Sequence, residues 1–182
     1  MVDLATRKLP LAGRNGGSSI VRLTPAAPAT RIALRAPVDS IDGLSQALGL
    51  QVPNRPKTSA SANGRHALWL GPDEWLVIDE NGADLVGLAA SAGVLHSATD
   101  VSHRNTAIVV SGPGAEATLS GGCSQDLSLQ AFPIGACSRT LFGKAEVVLL
   151  RLEEETFRVE VWRSFSDYAF GLLAEAAEDA GL

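Results

Sequence analysis

The chain has 182 residues, of which 46% are hydrophobic and 19% charged, and its formal charge is −5. That length supports one sizeable core or two small fused halves, and the composition excludes a disordered chain. The acidic balance argues against a general nucleic-acid binder, no apolar run reaches the about 18 residues that span a bilayer, and Cys123 and Cys137 are too few for a closed zinc site.

Residues 1–17 hold Arg7, Lys8, Pro10 and the run Gly13-Arg14-Asn15-Gly16-Gly17 without any hydrophobic period, which predicts a flexible N-terminal arm. They lack the apolar stretch of a signal peptide, so a cytoplasmic protein with free thiols is expected. Residues 19–23 and 31–35 read as short strands around a proline-rich turn. Ser40 is placed to cap a helix with Ile41, Leu44, Ala47 and Leu48 on one stripe and Gly49 near its end. Residues 51–64 carry Pro53, Pro56, Ser59, Ser61 and Gly64 and read as a loop.

Residues 66–70 and 74–78 are predicted strands joined by Gly71-Pro72-Asp73, a sequence suited to a tight reversal. A helix over 83–92 places Leu85, Leu88, Ala89 and Ala92 on one face. Residues 106–110 are β-branched and read as a buried strand ending at Ser111-Gly112-Pro113-Gly114. Ser111 or Gly112 can cap the short helix that follows through Ala115, Ala117 and Leu119 to Gly121-Gly122. Residues 124–138 form a loop anchored by Phe132-Pro133-Ile134. Residues 140–152 read as one strand and 156–162 as another, with the solvated turn Glu153-Glu154-Glu155 between them. Ser164 or Ser166 can cap the last helix, whose buried side carries Ala169, Leu172, Leu173, Ala176 and Ala180.

Helices therefore alternate with hairpins. That order predicts an α+β fold of doubled ββα-type units, with antiparallel or mixed sheets and helices packed against them. Residues 18–182 are expected to form a single domain, which the pattern also allows to divide into two pseudo-repeats, about 18–96 and 97–182.

Few residues suggest chemistry. Asp100 and His103 have the types of an oriented general base, but residues three apart in a strand point to opposite faces, so the two meet only if Val101-Ser102 turns, and Ser102 fails as a nucleophile partner for the same reason. The competing reading is that Asp100 and His103 bond backbone at the start of the strand. Gly112-Pro113-Gly114 matches no phosphate loop. Neither a Gly-x-Ser-x-Gly elbow nor a dinucleotide fingerprint occurs. Arg163 continues the apolar face of Phe157, Val159 and Val161, and a charge there requires a carboxylate or a partner surface. Trp162 lies on the opposite face with Arg158 and Glu160. Tryptophan and arginine are frequent interface anchors, so Trp75, Trp162 and Arg163 are the candidate partner-binding residues; no catalytic, cofactor-binding or metal-binding residue is assigned.

The segments W-L-G-P-D-E-W-L (69–76), D-V-S-H-R (100–104), S-G-P-G-A (111–115), R-T (139–140) and W-R-S-F (162–165) keep the order and spacing of one family. Over roughly residues 65–182 the chain resembles the gamma subunits of heterotetrameric sarcosine oxidase, which are similar in turn to the folate-binding part of glycine-cleavage aminomethyltransferases. The resemblance implies a non-catalytic subunit of a complex that oxidises sarcosine to glycine, forming hydrogen peroxide and either formaldehyde or 5,10-methylenetetrahydrofolate. It implies FAD, FMN, NAD and tetrahydrofolate on partner subunits, and alpha, beta and delta subunits as partners, chiefly alpha. The transferases carry an aspartate pair that, counted back from Phe157-Arg158, falls on Ala145-Glu146. The alternative implied is a stand-alone folate-binding protein or an aminomethyltransferase-like enzyme.

Overall fold

The structure, a computed structural model, describes residues 9–181. Its strands are β1 (Gly16–Gly17), β2 (Arg22–Pro25), β3 (Thr30–Arg35), β4 (Ser59–Ala62), β5 (Arg65–Gly71), β6 (Glu74–Asp79), β7 (Ser97–Asp100), β8 (Asn105–Ser111), β9 (Cys137–Phe142), β10 (Ala145–Glu153) and β11 (Thr156–Trp162). Its helices are α1 (Ile41–Leu48), α2 (Leu85–Ser91), α3 (Ala115–Ser120) and α4 (Ser166–Asp179). The strands form two sheets, ordered β1-β2-β8-β11-β10-β9 and β4-β5-β6-β3-β7. Their pairings are antiparallel. The α+β architecture expected from the order of elements is therefore present.

Alternation along the strands builds four layers. Leu23, Ile108, Val147 and Phe157 of the six-stranded sheet pack with Leu119 of α3 and Phe170 and Leu173 of α4. Ile32, Leu34 and Val77 of the five-stranded sheet pack with Leu44 and Leu48 of α1 and Leu85 of α2. The other faces of the two sheets meet through Leu68, Ile78, Val148 and Leu150. Each sheet thus buries both faces, which explains why β6 and β10 read as continuous apolar runs. The sheets do not divide at residue 96: β2 pairs with β8, and β7 pairs with β3, so each half contributes a strand beside the other.

Several predicted elements change. Residues 140–152 are a hairpin rather than one strand: β9 and β10 reverse at Gly143-Lys144, where Gly143 has φ 57°. A side chain there would meet the Tyr168 hydroxyl oxygen at 2.5 Å, so both conformation and space call for glycine. The loop over 51–64 contains β4, whose Ser-Ala-Ser-Ala sequence has little strand character, and β7 also escaped notice. Of the Phe132-Pro133-Ile134 anchor only Phe132 is buried. Ser40 occupies the α1 cap position without a side-chain bond, and Gly49 closes that helix in the left-handed conformation at φ 68°. The cap of α3 is Gly114 rather than Ser111 or Gly112. Ser166 is the first residue of α4, and its hydroxyl donates to the Arg163 carbonyl. The buried side of α4 carries Ala177 rather than Ala176 or Ala180.

Residues 1–8 of the expected arm lie outside the described residues. Residues 9–17 pack on the domain: Leu11 is buried, β1 joins the sheet edge, and Arg14 pairs with Asp167 at 3.0 Å. Glycines hide this contact from a periodicity reading, because Gly16-Gly17 has no side chain to alternate.

Candidate partner-binding site

Trp75 does not reach the surface. Its indole is fully buried in the layer between the five-stranded sheet and its helices, and its Nε1–H donates to the Pro53 carbonyl at 2.7 Å. It is corrected from an interface candidate to a core residue, since strand β6 points it at the helices and a backbone acceptor satisfies its polar edge. Trp162 is different. It ends β11 with 37% of its surface exposed, and the Arg104 guanidinium lies 4.0 Å over its ring. Phe165 is also exposed, with its ring 6.4 Å from that of Trp162 and tilted by 58°.

Arg163 leaves the strand. Its backbone N–H extends the β8–β11 ladder by one bond, to the Arg104 carbonyl at 2.6 Å, and the chain then enters the short 3-10 turn Arg163–Phe165 instead of continuing the Phe157–Val161 face. That bond joins the turn after β11 to the turn before β8. Arg163 then lines a cavity of about 570 Å³ with residues of segments 9–15, 24–29 and 102–106.

The Asp100–His103 segment folds as the backbone-bonded alternative for its acidic member. The Asp100 carboxylate accepts the Ser102 N–H at 2.8 Å, and Ser102 Oγ accepts the Arg31 N–H at 2.9 Å. His103 is exposed in the turn and lines the cavity. These contacts shape a turn and hold it to β3, which is a positioning role rather than a nucleophile and its base.

Ala145 and Glu146 face opposite ways. Ala145 is buried under the helix layer, while Glu146 is exposed on the other face of β10. Neither lines the 570 Å³ cavity.

An interior charge cluster, which the sequence reading missed, sits between the sheets. Arg158 and Glu160 were expected beside Trp162 on one face, and they are there, but buried. Glu160 accepts from Arg31 Nε at 2.7 Å and from Arg158 Nε at 2.8 Å, with all three side chains at most 3% exposed. Arg158 Nη1 also meets Glu80 at 2.5 Å. The signal available in sequence was charge inside an apolar strand, at Arg31, Arg158 and Glu160 alike.

His66 lies near this cluster, with Nδ1 2.8 Å from Ser61 Oγ. Burial lowers its pKa from 6.5; the nearby Arg158 acts in the same direction, while Glu80, Glu160 and Asp79 oppose it. The unfolded chain therefore binds the proton more readily than the folded one, so stability falls as pH drops through 6.5 toward the lowered folded value. A pH series of thermal midpoints should show this acid loss, and His66→Gln should flatten it. An unchanged slope would remove His66 as the cause.

Neither thiol offers chemistry. Cys123 and Cys137 are buried and free, and burial pushes the Cys137 pKa up to about 12. Among the described residues no group of His, Cys, Asp and Glu is arranged to hold a metal ion. No helix among them is long and apolar enough to cross a membrane.

Two antiparallel sheets back to back, each covered by a helix pair, define the class. This is the fold found in glycine cleavage system aminomethyltransferase T from Bartonella henselae, which aligns with a TM-score of 0.65 over 88% of this chain and 49% of that one, at 15% identity. The match beyond fold is narrower. A family model described as sarcosine oxidase, gamma subunit family, matches residues 36–179, and the chain belongs to that family. Sarcosine oxidase subunit gamma of an Arthrobacter species is 31% identical over 90% of this chain and 82% of the relative. The subunit from Corynebacterium sp. strain P-1 is 30% identical over 87% and 81%. A chain of heterotetrameric sarcosine oxidase from Corynebacterium sp. U-96, solved with pyrrole 2-carboxylate, aligns with a TM-score of 0.87 over 97% of both chains at 25% identity.

Proposed function

We propose that this chain is a non-catalytic structural subunit of a sarcosine oxidase complex. The observation that carries the reading is the agreement between family membership over residues 36–179 and the near-complete structural match to a chain of a heterotetrameric sarcosine oxidase. In this reading the complex oxidises sarcosine to glycine and reduces oxygen to hydrogen peroxide. The one-carbon unit leaves as formaldehyde or as 5,10-methylenetetrahydrofolate. FAD, FMN, NAD and tetrahydrofolate sit on partner subunits, with the alpha subunit as the main contact alongside beta and delta, in the cytoplasm.

The interior supports a scaffold. Arg31, Arg158 and Glu160 are engaged with one another in a buried ion cluster, the thiols are buried, and the Asp100 carboxylate and the Ser102 hydroxyl each accept a backbone N–H. The alternative of an independent folate-dependent transferase is disfavoured at Ala145, where the resemblance implies an acid and the structure has a methyl group buried in the helix-facing core. The partner surface centres on Trp162 and Arg163. An indole that becomes covered on assembly contributes roughly 1.5–3 kcal/mol, on the scale of a large apolar side chain.

The test has two parts. Purified alone, the chain is expected to show no flavin absorbance and no peroxide production with sarcosine. Purified from its own cells, it is expected to bring flavin-containing subunits with it, and Trp162→Ala should weaken that association by about tenfold or more. Turnover by the isolated chain, or its isolation without partners, would refute the subunit reading.

A further inference from the structure

The groove of about 570 Å³ beside Arg163 names no occupant, because its Arg31 and Arg14 are already paired with Glu160 and Asp167. The sheet edges are more informative, since an unpaired edge specifies an extended backbone as its partner. Each sheet ends in two edge strands, β1 and β9 in one, β4 and β7 in the other. β1 has two residues, and Gly16 lies against Phe170 of α4. β4 spends its Ser59 N–H on the Gly135 carbonyl at 3.0 Å. β7 has four residues, and Asp100 turns its carboxylate back on the Ser102 N–H. β9, with six residues, is the longest of the four.

Two hydrogen bonds fix which way the β9 backbone faces. The Arg151 N–H donates to the Ala136 carbonyl, on the β10 side, at 3.0 Å, and the Cys137 N–H donates away from β10, to the Lys57 carbonyl, also at 3.0 Å. Main-chain groups alternate sides along an antiparallel strand, so Ser138, Thr140 and Phe142 bond toward β10, opposite Leu149, Val147 and Ala145. Arg139 and Leu141 therefore direct their N–H and C=O groups outward. Among the described residues no backbone group outside β10 pairs with either of them. Such edges are commonly blunted by proline, a bulge or exposed lysine. β9 has none of these, and its one charged side chain, Arg139, is drawn to Glu74 at 2.6 Å.

This edge is continuous with the Trp162 surface. Leu141 pairs with Glu146, the β10–β11 register brings Glu146 opposite Trp162, and Trp162 pairs with Asn105. These four residues form the last row of the six-stranded sheet on the side that meets the five-stranded sheet. One row earlier, Val148 and Glu160 are covered by that sheet. The last row is not: Trp162 and Glu146 are exposed, and Leu141, at the open edge, is 59% exposed. An apolar side chain beside unpaired main chain is the arrangement that a pairing strand covers, because cross-strand neighbours on one face pack together.

We infer that β9 receives an extended strand of a partner subunit, which pairs with the main chain of Arg139 and Leu141 and lays an apolar side chain beside Leu141. The inference rests on the subunit reading above and adds the element that is met and the kind of structure that meets it. Main-chain bonds hold the strand, and the row from Leu141 toward Trp162 supplies the side-chain contact.

The experiment uses the intact complex, formed by co-expression of the full chain with its partner chains. Hydrogen exchange of single amides is compared between the free chain and the complex, and assembly is measured for wild type, Leu141→Pro and Leu141→Ala. In the free chain the Thr140 N–H, bonded toward β10, is expected to be protected, and those of Arg139 and Leu141 to exchange freely. In the complex all three should be protected. Leu141→Pro removes an outward donor, which the free fold tolerates because proline fits an edge strand with its nitrogen toward solvent. It should lower affinity about tenfold or more, and Leu141→Ala, which keeps the donor, should lower it less. Wild type that assembles with Arg139 and Leu141 still exchanging freely overturns the inference and leaves the subunit reading standing, whether or not the variants fold. Equal losses in the two variants, or assembly by a folded Leu141→Pro chain at wild-type affinity, overturn it likewise. Failure of wild type to assemble at all overturns both. Protection of these amides in the isolated chain, by a second copy or by its own residues 1–8, assigns the edge to another strand and refutes the proposal.

Discussion

Replacing Glu160 by alanine is expected to destabilise the domain by about 3–5 kcal/mol, the cost of breaking a buried ion pair by removing one partner. Glu160 is the carboxylate that meets both Arg31 and Arg158, at 2.7 and 2.8 Å, in a layer where the three side chains are almost without solvent. Its loss leaves Arg31 with the Ala29 carbonyl and Arg158 with the half-exposed Glu80. Against a total stability of about 5–15 kcal/mol, that is a large share, and it corresponds to a fall of roughly 6–20 °C in the unfolding midpoint for a chain of this size. Glu160→Gln keeps an acceptor but not the charge and should fall between. The simultaneous change Arg31→Met/Arg158→Leu/Glu160→Leu removes the three buried members, leaving only the half-exposed Glu80 to solvent, and should be near neutral or stabilising by about 1–4 kcal/mol, because the ions no longer have to leave water. Arg158 Nη2, buried without a hydrogen bond among the described residues, points the same way. Thermal and urea unfolding of the single and triple variants would check this; a single variant within about 1 kcal/mol of wild type would refute the account.

The position of that cluster explains what sequence could and could not reveal. Strand faces were legible where alternation was clean: Phe157, Val159 and Val161 face the helices, and Arg158, Glu160 and Trp162 face the other way. What lies opposite a face is not written in the strand itself. Arg158 and Glu160 look like a solvated side until the five-stranded sheet covers them, whereas Trp162, at the strand's end, stays half open. Trp75 shows the reverse case, since its hairpin was predicted but its burial depended on α1, α2 and the Pro53 carbonyl. The β9–β10 turn was missed because glycine and lysine interrupt an otherwise continuous strand pattern without proline or asparagine. β4 was missed because its alternating serine and alanine have no strand propensity and pair only in context. The candidate site was legible in its aromatic and arginine members, Trp162 and Arg163. The groove beside them joins segments about 140 residues apart in sequence, a proximity that only the sheet topology creates.

Arg151→Ala is expected to cost a further large fraction of stability, and to do so locally first. The Arg151 guanidinium is almost fully buried in the six-stranded sheet, 4.6 Å from the centre of the Phe157 ring. It donates to the carbonyls of Leu127 and Phe132 at 2.8 Å each, and to that of Glu154 at 2.7 Å. One side chain therefore satisfies three backbone acceptors from two separate turns. It also fixes Phe132 where that ring stacks on Phe157 with centroids 6.4 Å apart. Leaving a buried acceptor unpaired costs about 1–3 kcal/mol, and since these carbonyls share one donor group the total should be near 3–5 kcal/mol rather than their sum. The surface partner contributes little: Glu116 is 44% exposed, and Glu116→Gln should change stability by less than about 1 kcal/mol. Arg151→Lys retains the charge but not the planar fork that reaches several carbonyls at once, so it should restore only a minority of the loss. Hydrogen exchange should show residues 124–136 opening well before the sheets, because their anchor is gone while the strand pairing of β10 remains. If Arg151→Ala left both global stability and exchange in this loop unchanged, the guanidinium would not be what holds the loop to the sheet.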